Sequence, residues 1–145
     1  MKIALGADHK GYPLKEGIKS YLMQRGEEVV DFGTDSDESV DYPDFGLKVA
    51  HSVADGDVDY GINICWTGNG MNMAANKVKG VRSGLCLSEE MAELTRSHND
   101  ANVLSLASKY VSETEALKIV ELFLSTRFEG GRHIQRLEKI LAEEK

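Results

Sequence analysis

The sequence contains little of what a zinc centre, a disulfide framework or a membrane anchor would need. Among its 145 residues the only cysteines are Cys65 and Cys86, and no CxxC, HxH or HExxH spacing occurs. These absences argue against a zinc site and against a fold held by disulfides, so we expect no metal. No apolar run approaches the ~20 residues that cross a bilayer, and the N-terminus lacks a signal-peptide pattern. We therefore expect a cytoplasmic protein with no membrane partner.

Positive charge is also scarce. The chain has 17 Lys and Arg against 24 Asp and Glu, a formal net charge of -7. Nucleic-acid binding requires a basic footprint, so we expect no nucleic-acid partner, although a few clustered cations are enough to bind an anionic substrate. The 41% hydrophobic and 28% charged composition is typical of a soluble globular protein, and the length suits one domain over residues 1–145.

Short apolar runs alternate with helix-like segments along the chain. The predicted strands are Lys2–Gly6, Glu28–Phe32, Tyr60–Cys65, Val81–Leu87 and Val103–Leu106. The predicted helices are one bearing Leu14, Ile18 and Leu22, then Pro43–Ala54, Met71–Lys77, Ser88–His98, Glu113–Ser125, and a last one bearing Ile134, Leu137 and Leu141. This alternation predicts a five-stranded parallel sheet between helical layers, a Rossmann-like α/β three-layer sandwich. We expect the strand order 2-1-3-4-5, and the last helix packs on its own sheet or on a second subunit.

In such a sheet, ligands bind beyond the carboxyl ends of the strands, where the strand order reverses. For the order 2-1-3-4-5 this point lies between the first and third strands. Asp8 and His9 follow the first strand, and the segment CWTGNG, residues 65–70, follows the third. The topology therefore predicts that a carboxylate, an imidazole, a thiol and a glycine loop meet there.

The glycine loop, Gly68-Asn69-Gly70, precedes a predicted helix, so its backbone amides are suited to bind a phosphate or a developing oxyanion. The dinucleotide pattern GxGxxG fails because Met73 occupies the third glycine position, and no GK[ST] follows. The same glycines fit a plain tight turn, so the loop alone leaves both interpretations open.

Most free cysteines are small buried hydrophobes, which is our interpretation of Cys86. Cys65 instead ends a strand beside a helix N-terminus, a position that lowers a thiol pKa, so we interpret it as a nucleophile or a base. Asp8 and His9 form either an acid–base set with this thiol or a turn. His98 either acts in the site or only caps its helix.

Arg132 and Arg136 lie one helical turn apart, next to Gly130-Gly131. Two guanidinium groups at this spacing form a phosphate clamp, or they are simply solvated. Their clustering in an acidic chain favours anion binding.

Several segments together resemble one family. LGADHKG at the N-terminus, DYPDF at 41–45, GINICWTGNGMNMAANK, RSHNDANVLSLAS and EGGRHIQRL resemble the ribose-5-phosphate isomerase B family and the related galactose-6-phosphate isomerases. The resemblance covers essentially the whole chain. It implies a metal-independent, cofactor-free aldose–ketose isomerase that interconverts D-ribose 5-phosphate and D-ribulose 5-phosphate, as a homodimer or dimer of dimers with shared active sites.

The resemblance also implies roles for individual residues. Cys65 corresponds to the base that moves a proton between C1 and C2 through a cis-enediolate. Asp8 and His98 correspond to groups that handle sugar hydroxyls and open the ring. The enediolate is held by Thr67 and the amides of Gly68, Asn69 and Gly70, the phosphate by His9, Arg132 and Arg136, and the pocket is lined by Tyr42 and Asn99.

Two positions depart from the family pattern. Trp66 stands where a small residue is usual, and Lys109 stands where an arginine commonly binds phosphate. Both leave open another phosphosugar, such as galactose or allose 6-phosphate or a tetrose phosphate. A flavodoxin-like nucleotide-binding module or phosphate-accepting receiver is disfavoured, because no complete nucleotide motif or acidic cluster is present.

Overall fold

The computed structural model describes residues 1–144, which form five β-strands and six α-helices. The strands are β1 (Lys2–Ala7), β2 (Glu28–Asp31), β3 (Tyr60–Cys65), β4 (Ser83–Leu85) and β5 (Val103–Ala107). The helices are α1 (Tyr12–Gln24), α2 (Tyr42–Ala54), α3 (Asn69–Ala75), α4 (Glu89–Ser97), α5 (Glu113–Ser125) and α6 (Arg132–Leu141). Within residues 1–144, no helix combines the length and apolar character that a membrane crossing requires.

The strands pair in parallel throughout, in the order β2-β1-β3-β5-β4. The α/β class and the parallel sheet are confirmed, but the expected order 2-1-3-4-5 is wrong for the last two strands. Burial explains the exchange, because every residue of β5 is buried whereas the three residues of β4 are all partly exposed. The longer, more apolar strand takes the interior position and the short one takes the edge. The reversal of order between β1 and β3 is unaffected.

Alternate residues of β1 supply the two cores. Ile3 and Leu5 belong to the core that contains Ile18 of α1 and Phe123 of α5. Ala4 belongs to the core on the opposite face, which α2 and α3 cover. The sheet is therefore the middle of three layers, as the sequence predicted.

The bounds of the elements differ little from the predicted ones. The capping box of Ser112 and Glu115 is present, and α5 has the predicted bounds. α3 begins at Asn69, two residues earlier than predicted, because Gly68 makes the turn with a φ of +74°. β4 is shorter than the predicted Val81–Leu87.

All strand carboxyl ends lie along one side of a parallel sheet, here the carboxyl edge, and all amino ends lie along the amino edge. α4 returns the chain to the amino edge, where His98 ends the helix shortly before β5. α6 is anchored at the same edge. The Glu129 N–H donates to the Ser97 carbonyl at 3.0 Å, and the Gly80 N–H, just before β4, donates to the Glu144 carboxylate at 3.1 Å.

The last helix uses only part of its surface within its own chain. His133 and Leu137 are buried, whereas Ile134, Ile140 and Leu141 are exposed. The structure therefore packs one face of α6 on its own chain and leaves several apolar side chains uncovered.

Candidate active site

Cys65 ends β3 and is buried, with 5% of the residue exposed. Burial raises the pKa of the Cys65 thiol above its ordinary value. Hydrogen bonds from the backbone N–H groups of Met71, Gly68 and Thr67 oppose this rise, and the negative charge of Asp8 adds to it. The predicted lowering of this pKa is therefore wrong, because loss of hydration outweighs the amides at the start of the seven-residue α3.

Asp8 lies next to this thiol, and His9 follows it at the same edge, because β1 and β3 are neighbouring strands. The Asp8 N–H donates to the Ile64 carbonyl at 3.2 Å, and the buried Asp8 carboxylate accepts from the Gly11 N–H at 2.9 Å. His9 Nδ1 accepts from the Val40 N–H at 3.2 Å, so the neutral ring carries its proton on Nε2. The sheet thus brings the carboxylate next to the thiol and places His9 at the same edge, as its topology predicts.

Tyr42 begins α2, and its ring lies against the glycine loop. A Cβ atom at Gly70 would lie 2.6 to 2.9 Å from the Tyr42 ring, and one at Gly68 would lie 2.5 Å from a leucine side chain. Close packing therefore accounts for both glycines, in addition to the positive φ of Gly68. The Thr67 hydroxyl accepts from the Asn69 N–H at 3.4 Å, and both residues are exposed.

Trp66 lies on the opposite face of the sheet from α2. Its side chain, 44% exposed, lines a groove of about 280 Å³ together with Leu14 of α1 and Val111 just before α5. The ammonium groups of Lys10 and Lys109 lie 5.2 and 5.9 Å from the ring centre, within cation–π range. Trp66 is thus engaged by two surface lysines and not by the glycine loop.

A second group of predicted residues surrounds the end of α4. The rings of His98 and His133 stack with their centroids 4.3 Å apart and a 19° angle between their planes. His133 Nε2 lies 3.5 Å from the Glu129 carboxylate. Burial and the neighbouring charge of Arg132 lower the pKa of His133. Arg132 and Arg136 are exposed, one turn apart on α6.

The predicted residues form two clusters within one chain. The Cys65 cluster at the carboxyl edge comprises Asp8, His9, Tyr42, Cys65, Thr67, Gly68, Asn69, Gly70 and Lys109. The His98 cluster at the amino edge comprises His98, Asn99, Arg132 and Arg136, with Glu129 and His133 beside them. Cys65 pairs with Ala107 at the end of β5, whereas His98 precedes Val103 at its start. At ~3.3 Å per residue, the length of β5 alone separates the clusters by about 13 Å.

The sequence reasoning missed two members of the His98 cluster, Glu129 and His133. Their four-residue spacing is not a helical one, because Glu129 precedes α6 and Gly130 and Gly131 between them have positive φ. Their approach to His98 depends on the return of α6 to the end of α4, which no local pattern indicates.

Comparison with known proteins shows the family of the chain. The family model described as Ribose/Galactose Isomerase matches residues 3–140. Ribose-5-phosphate isomerase B of Escherichia coli (strain K12) is 49% identical over 143 residues, which cover 99% of this chain and 96% of that protein. The structure of Clostridium thermocellum ribose-5-phosphate isomerase B has 53% identity and a TM-score of 0.97, and the match covers 98% of this chain and 96% of that one.

A further solved structure contains a ligand. Mycoplasma genitalium ribose-5-phosphate isomerase B, with bound ribulose-5-phosphate, has 48% identity and a TM-score of 0.94, and the match covers 99% of this chain and 95% of that one. Sequence and structure therefore match over nearly their full lengths. The chain belongs to the ribose/galactose isomerase family.

Proposed function

We propose that this chain is an aldose–ketose isomerase that interconverts D-ribose 5-phosphate and D-ribulose 5-phosphate. The observation that carries the proposal is the buried Cys65 thiol at the carboxyl edge, surrounded by backbone N–H groups, in a chain of this family. The relatives support the substrate, because the Escherichia coli protein is named ribose-5-phosphate isomerase B and the Mycoplasma genitalium structure holds ribulose-5-phosphate.

In the proposed reaction, the Cys65 thiolate removes the proton from C2 of the open-chain aldose. The electron pair of that bond forms a cis-enediolate, whose negative charge develops on the former carbonyl oxygen. The amides of the glycine loop and the Thr67 hydroxyl stabilise this charge as it forms. The proton returns to C1, and a second proton passes from the C2 hydroxyl to O1. These proton transfers require neither a metal nor a cofactor.

The raised pKa of Cys65 has two consequences for this role. A thiolate with a higher pKa is a stronger base towards a weakly acidic C–H group, but a smaller fraction of the thiol is ionised at neutral pH. Asp8, which contributes to the rise, is placed to accept a hydrogen bond from a sugar hydroxyl. His9 Nε2–H is free to donate to an anionic group of the substrate.

We propose further that a second copy of the chain completes each active site. Within one chain the His98 cluster lies too far from Cys65 to contact the same small sugar. In a homodimer, Arg132 and Arg136 of the partner subunit bind the phosphate together with His9, and His98 of the partner subunit assists ring opening beside Asn99 of the partner subunit. The exposed apolar residues of α6 support this assembly, since such surfaces favour subunit contacts.

The remaining assignments follow from the same proposal. Tyr42 lines the sugar pocket against the glycine loop, and Lys109 supplies a cation at the carboxyl edge. Trp66 gives no support for a larger or smaller phosphosugar, because it lies on the other face of the sheet from Tyr42. We place the homodimer in the cytoplasm, in pentose phosphate metabolism.

The proposal is tested by NMR in deuterated water with a panel of aldose phosphates. We expect ribose 5-phosphate to isomerise with deuterium entering at the carbon next to the carbonyl. Cys65→Ala should lose about 10²–10⁴-fold in rate, the usual contribution of a general base. The matched control is Cys86→Ala, which removes the other buried thiol and should retain activity. An active Cys65→Ala protein would exclude Cys65 as the base.

A further inference from the structure

The amino edge holds a group of potential metal ligands, and the proposed reaction gives none of them a metal-binding role. His98, Glu129 and His133 each offer one ligand atom, and these atoms all lie within 4.8 Å of one another. His98 comes from the end of α4, Glu129 from the segment that precedes α6, and His133 from the first turn of α6. Two stretches of the chain that are distant in sequence therefore meet in one small volume, although the sequence has no recognisable zinc motif.

His133 provides the second, independent observation. Its side chain is 7% exposed, and its Nε2 atom has no hydrogen-bond partner among the described residues. This nitrogen faces Glu129, with its Nε2 atom 3.5 Å from the carboxylate oxygen. Buried polar atoms nearly always have a partner, so an unpartnered ring nitrogen that faces the Glu129 carboxylate indicates a binding role.

The distances suit a tetrahedral ion. Ligand atoms placed about 2.0–2.1 Å from a tetrahedral Zn²⁺ lie roughly 3.3–3.5 Å apart, which is the separation of His133 Nε2 and the Glu129 carboxylate. His98 completes the set by a small rotation of an incompletely buried side chain.

We propose that His98, Glu129 and His133 bind a divalent transition-metal ion of the Zn²⁺ type. Two imidazole nitrogens and one carboxylate form an N₂O set that leaves a fourth position for water. Such a set selects Zn²⁺, Co²⁺ or Cu²⁺ over Ca²⁺ and Mg²⁺, which prefer all-oxygen sites. Arg132 and Arg136 repel the ion, so the site is a reversible one and not a structural centre.

Metal binding would inhibit the isomerase. Coordination occupies the His98 nitrogen that would otherwise exchange a proton with the sugar. This consequence rests on the proposed function, whereas the site itself rests only on the three ligands.

Binding is tested first, with Zn²⁺ alone and in the Cys65→Ser background, so that the thiol cannot bind the ion. We expect one Zn²⁺ per chain by calorimetry, and a Co²⁺ spectrum typical of four-coordinate N and O ligands without thiolate bands. Glu129→Gln should weaken binding about 10–100-fold. Glu138→Gln, which changes an exposed glutamate of α6, is the matched control and should bind as its parent does. Absent binding in the Cys65→Ser protein, or equal binding by Glu129→Gln, overturns the site.

Inhibition is tested in the protein with Cys65 intact. Zn²⁺ should inhibit isomerisation reversibly, and Glu129→Gln should require a higher Zn²⁺ concentration for the same inhibition. If inhibition is unchanged in Glu129→Gln, the inhibitory ion binds elsewhere and the proposal is overturned. If Zn²⁺ binds as described and the isomerase stays fully active, the metal site is confirmed but the role of His98 in the reaction is refuted. An isomerase-inactive protein that still binds Zn²⁺ refutes the proposed function alone.

Discussion

The two clusters of candidate residues are held in place by different means. In the Cys65 cluster, Cys65 and Asp8 sit at the ends of neighbouring strands, are buried, and are surrounded by backbone hydrogen bonds. In the His98 cluster, Arg132 and Arg136 are exposed on a helix that contacts its own chain along one face only.

The difference suits two separate tasks, stabilising the charge that develops in the reaction and binding the phosphate. Groups that must meet a developing charge need fixed positions, and the centre of a sheet provides them. Groups that bind a phosphate tolerate a less rigid support, because long cationic side chains adapt to their ligand. We expect the carboxyl-edge groups, the thiol and the backbone amides, to be complete in a single chain, whereas the amino-edge groups complete the active site of the partner subunit.

The largest expected effect comes from two variants, one with a mutation in the Cys65 cluster and one with a mutation in the His98 cluster. Cys65→Ala and His98→Asn should each lose at least about 100-fold in activity. When both variants are denatured together and refolded as a mixture, random pairing should restore about a quarter of the wild-type activity. Half of the dimers then carry both variants, and one of their two sites combines intact Cys65 with intact His98. Steady-state assays of the mixture measure the recovery.

A double variant controls this experiment. Cys65→Ala mixed with Cys65→Ala/His98→Asn leaves every site without the thiol, so the mixture should stay inactive. Should the first mixture show no more activity than its parts, the two clusters do not act across subunits.

A smaller effect is expected from the phosphate clamp. Arg132→Ala and Arg136→Ala should each lower kcat/KM about 10–100-fold, because each removes a charge-assisted hydrogen bond of roughly 1.5–3 kcal/mol. Arg132→Lys should recover only part of this loss, since an ammonium group lacks the planar fork. Lys139→Ala, on the same helix, is the control and should have little effect. Unchanged kinetics in both alanine variants would contradict a phosphate site on α6.

The pH profile tests the other cluster. Because burial raises the Cys65 pKa, the thiolate fraction at neutral pH is small and increases with pH. Below that pKa, kcat/KM and the rate of Cys65 alkylation by iodoacetamide should both rise about tenfold per pH unit. Cys86, whose pKa is raised to about 12, should contribute nothing to this range, so Cys86→Ala should give the same profile. A plateau below the ordinary thiol pKa of about 8.5 would show that the amides outweigh burial after all.

The same contrast explains what the sequence could predict. The strands, the capping box at Ser112 and the meeting of Asp8 with Cys65 all depend on local patterns and on the rule for parallel sheets, and these predictions are confirmed. The exchange of β4 and β5 depends on which of two short strands is more buried. No local sequence pattern predicts this. The pKa of Cys65 depends on a balance between burial and amides, so its direction could not be read from the adjacent helix alone.

The amino edge was harder to predict for a geometric reason. His98 and Arg132 were identified separately, but their shared location depends on where α6 returns to the fold. Family resemblance implied active sites shared between subunits, and in this structure a single chain keeps both residues away from Cys65.

The smallest effect is expected at Trp66, the residue that departs most from the family pattern. Its ring lies on the α1 and α5 face, beside Lys10 and Lys109, and does not face the glycine loop. Trp66→Ala should therefore leave the relative rates on four-, five- and six-carbon phosphosugars unchanged, while losing about 0.5–1 kcal/mol of stability with each cation–π contact. Trp66→Phe, which keeps an aromatic ring, should lose less stability in chemical unfolding. If Trp66→Ala instead changes the sugar preference, the tryptophan reaches the pocket of the partner subunit, and the carboxyl edge is not complete in one chain.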